Sequence, residues 1–170
     1  MLETPTEVAR LQQLLDASMS GAGPHLRSII GDDRRVPADR LCVRLQGMRL
    51  LSLSTVTADG RPLVGPVDGY LLHGLFYFTS ASNSVRIRHI RARPAVSVMH
   101  LPSEELAVTV HGTAQIFTAA DPDWPPLRQA MLDEYLPKQG PAFEEWLDTA
   151  DVVAARVIPE KMFTFQMTAP

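Results

Sequence analysis

The residues best suited to chemistry in this chain lie between Ser82 and Arg93, in the run SNSVRIRHIRAR. Arg86, Arg88, Arg91 and Arg93 sit close together in a chain whose net charge is −3. If the run opens as a helix near Asn83, its first turn presents unpaired backbone N–H groups and the positive end of the helix dipole. Ser82, Ser84 and Thr79 add hydroxyls, and the guanidinium of Arg86 can grip two phosphate oxygens at once. Helix start, hydroxyls and arginine together suit a phosphate. A solvated basic helix face with an ordinary serine cap fits the same residues.

Other candidates carry less. Asp68 stands in a Pro-Val-Asp-Gly context. It could contact a ring N–H or a substrate, or cap a turn before Gly69. His89, His100 and His111 are possible proton donors or haem ligands, but their spacing is not a metal-ligand pattern. Trp124, Tyr135, Phe143 and Trp146 could wall a substrate pocket or a subunit contact, or pack the core of a helical segment. Arg34, Arg35, Arg40 and Arg44 could extend a positive groove or simply face water. The lone Cys42 has no disulfide partner and reads as a small buried apolar residue. Nucleophile-elbow, P-loop and dinucleotide-loop patterns are missing from the sequence.

The elements that position these residues follow from periodicity. Thr4, Pro5 and Glu7 form a helix start with a capping box, and Val8, Leu11 and Leu15 share a face over residues 4–19. Residues 25–37 show no period and read as irregular. A second helix runs from about Ala38 to Gln46 and stops at Gly47. Alternation then marks strands at Arg49–Thr57, Pro62–Tyr70, Leu75–Ser80, Ala95–His100, Leu106–Phe117 and Asp151–Met167. Asp59-Gly60 signals a hairpin, Gly112 a bend, and Pro159 a break or bulge. A short helix over Ser82–Arg93 ends at Pro94. Two more helices follow Asp121 or Asp123 and Gly140-Pro141. Strands in meander order with few helices between them point to an antiparallel barrel, mainly β with flanking helices, not a doubly wound sheet.

The 170 residues, 45% hydrophobic and 21% charged, suit one globular domain. We expect an N-terminal helical extension over residues 1–37 and the barrel domain over 38–170. The charge balance suggests no nucleic-acid partner. Apolar runs fall short of the ~18 residues of a membrane helix. The acidic start MLETPTEVAR does not resemble a signal peptide, so a cytoplasmic protein is expected.

Read together, these pieces resemble the pyridoxamine 5′-phosphate oxidase-like family of flavin- or deazaflavin-binding, six-stranded split β-barrels. The likeness runs through LLSLSTV, Asp59–Pro62, LVGPVDG, LFYFTSASNSVRIRHIRARPAVSVM, AVTVHGTAQI and VIPEKMFTFQ. The resemblance implies that Ser84, Val85 and Arg86, with Phe78, Thr79 and Ser80, hold a cofactor phosphate. It implies that Val64, Gly65, Pro66, Val67 and Asp68 lie along the cofactor ring, mainly through backbone groups. FMN is the expected cofactor, with the deazaflavin coenzyme F420 as the alternative and haem as a third. The implied protein is a homodimeric oxidoreductase with the cofactor between subunits, acting on a small organic substrate. The alternative is a non-catalytic flavin- or haem-binding protein. The oxidase itself usually has a basic residue near the position of Asp68 and a C-terminal tail with Arg and His. This chain has an acid there and ends FTFQM, so pyridoxamine phosphate is not its expected substrate.

Overall fold

The computed structural model describes residues 3–167. Helix α1 (Pro5–Ser20) starts on the predicted capping box: Thr4 N–H donates to Glu7 Oε2 at 2.7 Å and Glu7 N–H to Thr4 Oγ1 at 3.3 Å. Residues 25–37 are more ordered than expected. They hold helix α2 (Pro24–Ile29) and a 3₁₀ turn at Asp32–Arg34. Neither is long enough to show a hydrophobic period. Helix α3 (Ala38–Arg44) leads to Gly47, whose φ of +75° lets the chain turn into the barrel.

The strands are β1 (Met48–Val56), β2 (Pro62–Leu72), β3 (Leu75–Ala81), β4 (Ala95–Ser103), β5 (Leu106–Phe117) and β6 (Val152–Gln166). They close antiparallel in the order β1-β2-β3-β6-β5-β4. Helix α4 (Val85–Ala92) links β3 to β4, while α5 (Trp124–Gln139) and α6 (Pro141–Thr149) link β5 to β6. The β1–β2 and β2–β3 turns use left-handed backbone: Gly60 at φ +84°, and His73 with Gly74 at +53° and +79°. The β5–β6 ladder slips where expected. His111 pairs with Lys161 but Gly112 with Pro159, leaving Glu160 as a bulge. A Cβ on Gly112 would collide with the Ile158 carbonyl.

Two apolar clusters stabilise the molecule. Alternate residues of the strands point into the barrel, including Leu51, Leu53, Val67, Phe78, Val98 and Val108. Leu11 and Leu15 of α1, Leu41 and Cys42 of α3, and Ile87 and Ile90 of α4 complete this inner cluster. Burial pushes the Cys42 thiol up to about 12, so it stays protonated and packs as an apolar group. The other cluster lies outside the sheet. Tyr70, Leu72, Tyr77 and Phe117 face outward and are covered by Leu127, Met131, Phe143 and Leu147 of α5 and α6. Each fully buried large side chain contributes ~1.5–3 kcal/mol. Among the described residues, no helix is long and apolar enough to cross a membrane.

The barrel is split. β1 pairs with β2 from Pro62 to Tyr70, but β3 pairs with β2 only from Gly69 to Leu72. Beyond that point β3 follows β6 through Ala81. Residues 62–68 of β2 therefore have one edge without a strand partner.

Candidate functional site

The open edge of β2 meets the start of α4. Ser84 is the N-cap: its Oγ accepts from Ile87 N–H at 3.3 Å and lies 3.1 Å from Ser80 Oγ. The cap reading of Ser84 is therefore correct as far as it goes. Val85 and Arg86 N–H have no backbone acceptor, as the first turn of a helix requires. Arg86 reaches over the split, and its Nη1 donates to the Pro66 carbonyl at 2.8 Å. Gly65 lies under the same guanidinium, with room for a Cβ only 3.2 Å from Nη2. One hydrogen bond thus joins two sequence segments twenty residues apart.

The other arginines of the run also turn to carbonyls. Arg88 donates to Asn83, Arg91 to Ser82 and Arg93 to Val56. Among the described residues, none of the four pairs with a carboxylate. Val67 and Phe78 point into the barrel core at 5% and 0% exposure, so their side chains take no part in the split. Val64 and Val85 project into solvent.

Thr79 and Asp68 point to the outer face, where they meet α5 and α6. Asp68 is not a turn cap. It stands within β2, and its Oδ2 accepts from Tyr135 Oη at 2.5 Å. Two residues on, and so on the same face, Tyr70 is buried with a hydroxyl that makes no well-formed hydrogen bond among the described residues. Together with Thr79, Phe143 and Trp146 these residues border a cavity of about 370 Å³. Burial, then the neighbouring carboxylate, pushes Tyr135 well above the usual phenol range. Burial and then Tyr135 and Asp68 do the same to Tyr70. Both stay neutral phenols at ordinary pH. Tyr70 is absent from the sequence-based candidates, although strand alternation from Asp68 points to it.

Trp124 lies elsewhere, beside a network that holds the β5–α5 connection. Arg156 Nη1 donates to Asp121 Oδ1 at 2.9 Å and Asp123 Oδ2 at 2.7 Å, and Tyr77 Oη donates to Asp123 Oδ2 at 2.8 Å. Asp123 is therefore committed to this network and gives α5 no side-chain cap. The three histidines are scattered. His89 Nδ1 lies 3.0 Å from Thr55 Oγ1, His100 Nδ1 is 3.1 Å from the Leu50 carbonyl, and His111 Nδ1 is 2.7 Å from Ser97 Oγ. Among the described residues, no group of His, Cys, Asp and Glu is arranged to hold a metal ion. Arg35 is taken by Asp16 and Asp32, and Arg34 lies over the Phe165 ring.

Solved structures share this fold at low identity. A conserved hypothetical protein of Mycobacterium tuberculosis aligns with a TM-score of 0.65 at 15% identity, covering 82% of this chain and 95% of that one. The haem storage protein HutZ of Vibrio cholerae aligns at 0.60 and 19%, covering 78% and 94%. An F420 reductase aligns at 0.53 and 24%, covering 69% and 91%. No curated protein matches the sequence. The family model described as pyridoxamine 5′-phosphate oxidase matches residues 40–163, from α3 through the outer helices and most of β6. With that match spanning most of the chain and the split barrel in place, the protein belongs to the pyridoxamine 5′-phosphate oxidase family.

Proposed function

We propose that the protein is a flavin-dependent oxidoreductase that binds FMN along the open edge of β2 and acts on a small organic molecule. The observation that carries this is the Arg86–Pro66 bridge, which sets a fixed cation and free helix N–H groups beside an unpaired strand edge. Such an edge offers backbone donors and acceptors to a flat polar ring. Val64, Gly65, Pro66, Val67 and Asp68 would meet the ring through these groups. Ser84, Val85 and Arg86, with Ser80 beside them, would hold the phosphate; Thr79, expected there too, points to the opposite face of β3 from Ser80 and would stand instead between ring and substrate. The flavin, when bound, supplies the redox chemistry; the chain supplies position and charge.

F420 is the second reading. Its long anionic tail needs a basic track, and Arg86, Arg88 and Arg91 of α4, with Arg93 just after it, are not paired with any carboxylate among the described residues. A homodimer is part of the proposal. Leu50, Met99 and Leu101 are 60%, 37% and 58% exposed on the β1–β4 side, and Val64 is 69% exposed at the open edge. An apolar surface of this kind suits a subunit contact that also closes over the cofactor.

The test is a titration of the purified protein with FMN, F420 and haem, read by absorbance. FMN is expected to bind at micromolar concentration, and Arg86→Ala to weaken it by ~1.5–3 kcal/mol, the scale of a charged hydrogen bond. Binding of F420 alone replaces FMN in the assignment. A Soret band lost on replacing His89, His100 or His111 favours haem binding. Failure of all three ligands to bind ends the proposal.

A further inference from the structure

The cavity between the outer face of β2–β3 and the α5–α6 layer has a composition that selects a ligand. Its volume, about 370 Å³, is in the range of small-molecule pockets. One wall is a continuous aromatic surface. The Tyr135 and Phe143 ring centroids are 4.8 Å apart, and those of Phe143 and Trp146 are 5.6 Å apart. Trp146, at 51% exposure, stands at the mouth. Facing this wall are two polar groups with unmet capacity. The Tyr70 hydroxyl is buried near that of Tyr135 but makes no well-formed hydrogen bond among the described residues, and buried polar groups are ordinarily paired. Asp68 uses only Oδ2, toward Tyr135, and has no cationic partner among the described residues.

The charge around the cavity is therefore negative. Glu134, the other nearby acid, is bound by Lys138, whose ammonium lies over the Tyr135 ring. Both tyrosines remain neutral because burial holds their protons. An anion would meet an uncompensated carboxylate. A neutral hydrocarbon would cover Asp68 and Tyr70 without pairing them. A flat ring carrying an N–H cation meets the aromatic wall, the carboxylate and the hydroxyl together.

We propose that this cavity binds a planar aromatic molecule bearing a protonated amine. Its ring lies against Tyr135, Phe143 and Trp146, and its nitrogen is directed to Asp68 and Tyr70. Thr79 links the cavity to the split, so the bound amine stands beside the edge assigned above to the flavin. Its role as substrate rests on that flavin assignment; its binding does not.

The probe is 2-naphthylmethylamine, titrated by calorimetry into the full chain without cofactor, beside 2-naphthalenemethanol and 2-naphthoate. The amine is expected to bind at least tenfold more tightly than the alcohol, with the carboxylate weakest. Asp68→Asn should abolish the preference for amine over alcohol, and Tyr70→Phe should weaken the amine several-fold with the melting curve still cooperative. Equal binding of amine and alcohol overturns the proposal, as does a tenfold preference that survives Asp68→Asn or no binding at millimolar concentration. A repeat with FMN present separates the two assignments. A change in the flavin spectrum on adding amine supports the substrate role, and an unchanged spectrum of bound FMN overturns that role alone. Amine binding by a protein that fails to take FMN leaves the cavity assignment standing and counts against the flavin.

Discussion

The two sides of the split differ in charge, in chemistry and in how the chain assembles them. On the α4 side, one short stretch of sequence does most of the work. Strand β3, the Ser84 cap and Arg86 follow one another directly, and only the β2 edge comes from elsewhere. Its donors are backbone N–H groups and guanidinium; the one carboxylate at the helix start, Asp151, accepts from Ser82 Oγ, and among the described residues no acid pairs with the arginines. On the outer side, β2 contributes Asp68 and Tyr70, but the wall arrives with α5 and α6 more than sixty residues later. Its charge is negative and its surface aromatic. A single strand thus separates a cation-rich edge suited to phosphate from an acidic, aromatic cavity suited to an amine. Binding on the first side depends on how the barrel opens; binding on the second depends on how the helical layer is seated.

This contrast can be broken most severely by unseating that layer. Leu127 of α5 is fully buried against the sheet, and Leu127→Ala should cost ~2–5 kcal/mol in denaturant unfolding followed by tryptophan fluorescence. Under native conditions the same variant should lose the amine probe and keep FMN; equal loss of both would mean that the two sides are one unit. Next in size, Arg86→Ala should weaken FMN as stated and change amine affinity by less than twofold. Combining it with Asp68→Asn should give additive effects in a double-mutant cycle, since the two groups share no partner. Ser84→Ala is expected to lower stability by ~1 kcal/mol through loss of the α4 cap, read as a fall in melting temperature.

The smallest effect concerns α1, which serves neither side directly. Partial burial pushes the Glu7 carboxyl up, but the Thr4 N–H and hydroxyl and the nearby His73 outweigh this and hold it below the usual carboxylate range. A depressed folded pKa stabilises above the unfolded value and is lost as pH falls through the folded one. Acidification below the ordinary carboxylate range should therefore loosen α1. Hydrogen exchange in α1 should rise there in the native protein, and Glu7→Gln should flatten the dependence, by ~0.5 kcal/mol for so exposed a pair.

The legibility of each part in the sequence follows the same division. The six strands, the Asp59-Gly60 turn and the bulge opposite Gly112 were readable because alternation and turn chemistry are local signals. So was the Ser84 to Arg86 segment, which lies at a strand end before a helix. Helix α2 and the turn at Asp32–Arg34 were not, since a single turn of helix has no period. The Tyr135–Asp68 pair was not either. The sequence marks Tyr135 as a pocket candidate and Asp68 as a polar contact, but nothing local ties a helix residue to a strand sixty-seven positions earlier. Tyr70 was hidden differently, as an aromatic residue in a strand that any core would accept.

The unpaired edge of β2 has another consequence. A run of free N–H and C=O groups is also a template on which a strand from another molecule can grow, the usual start of edge-to-edge aggregation. Pro62 and Pro66 lie on that stretch, and neither has an N–H to offer an incoming strand. With the Pro66 carbonyl already held by Arg86, the edge is open to a small ring and closed to a polymerising chain.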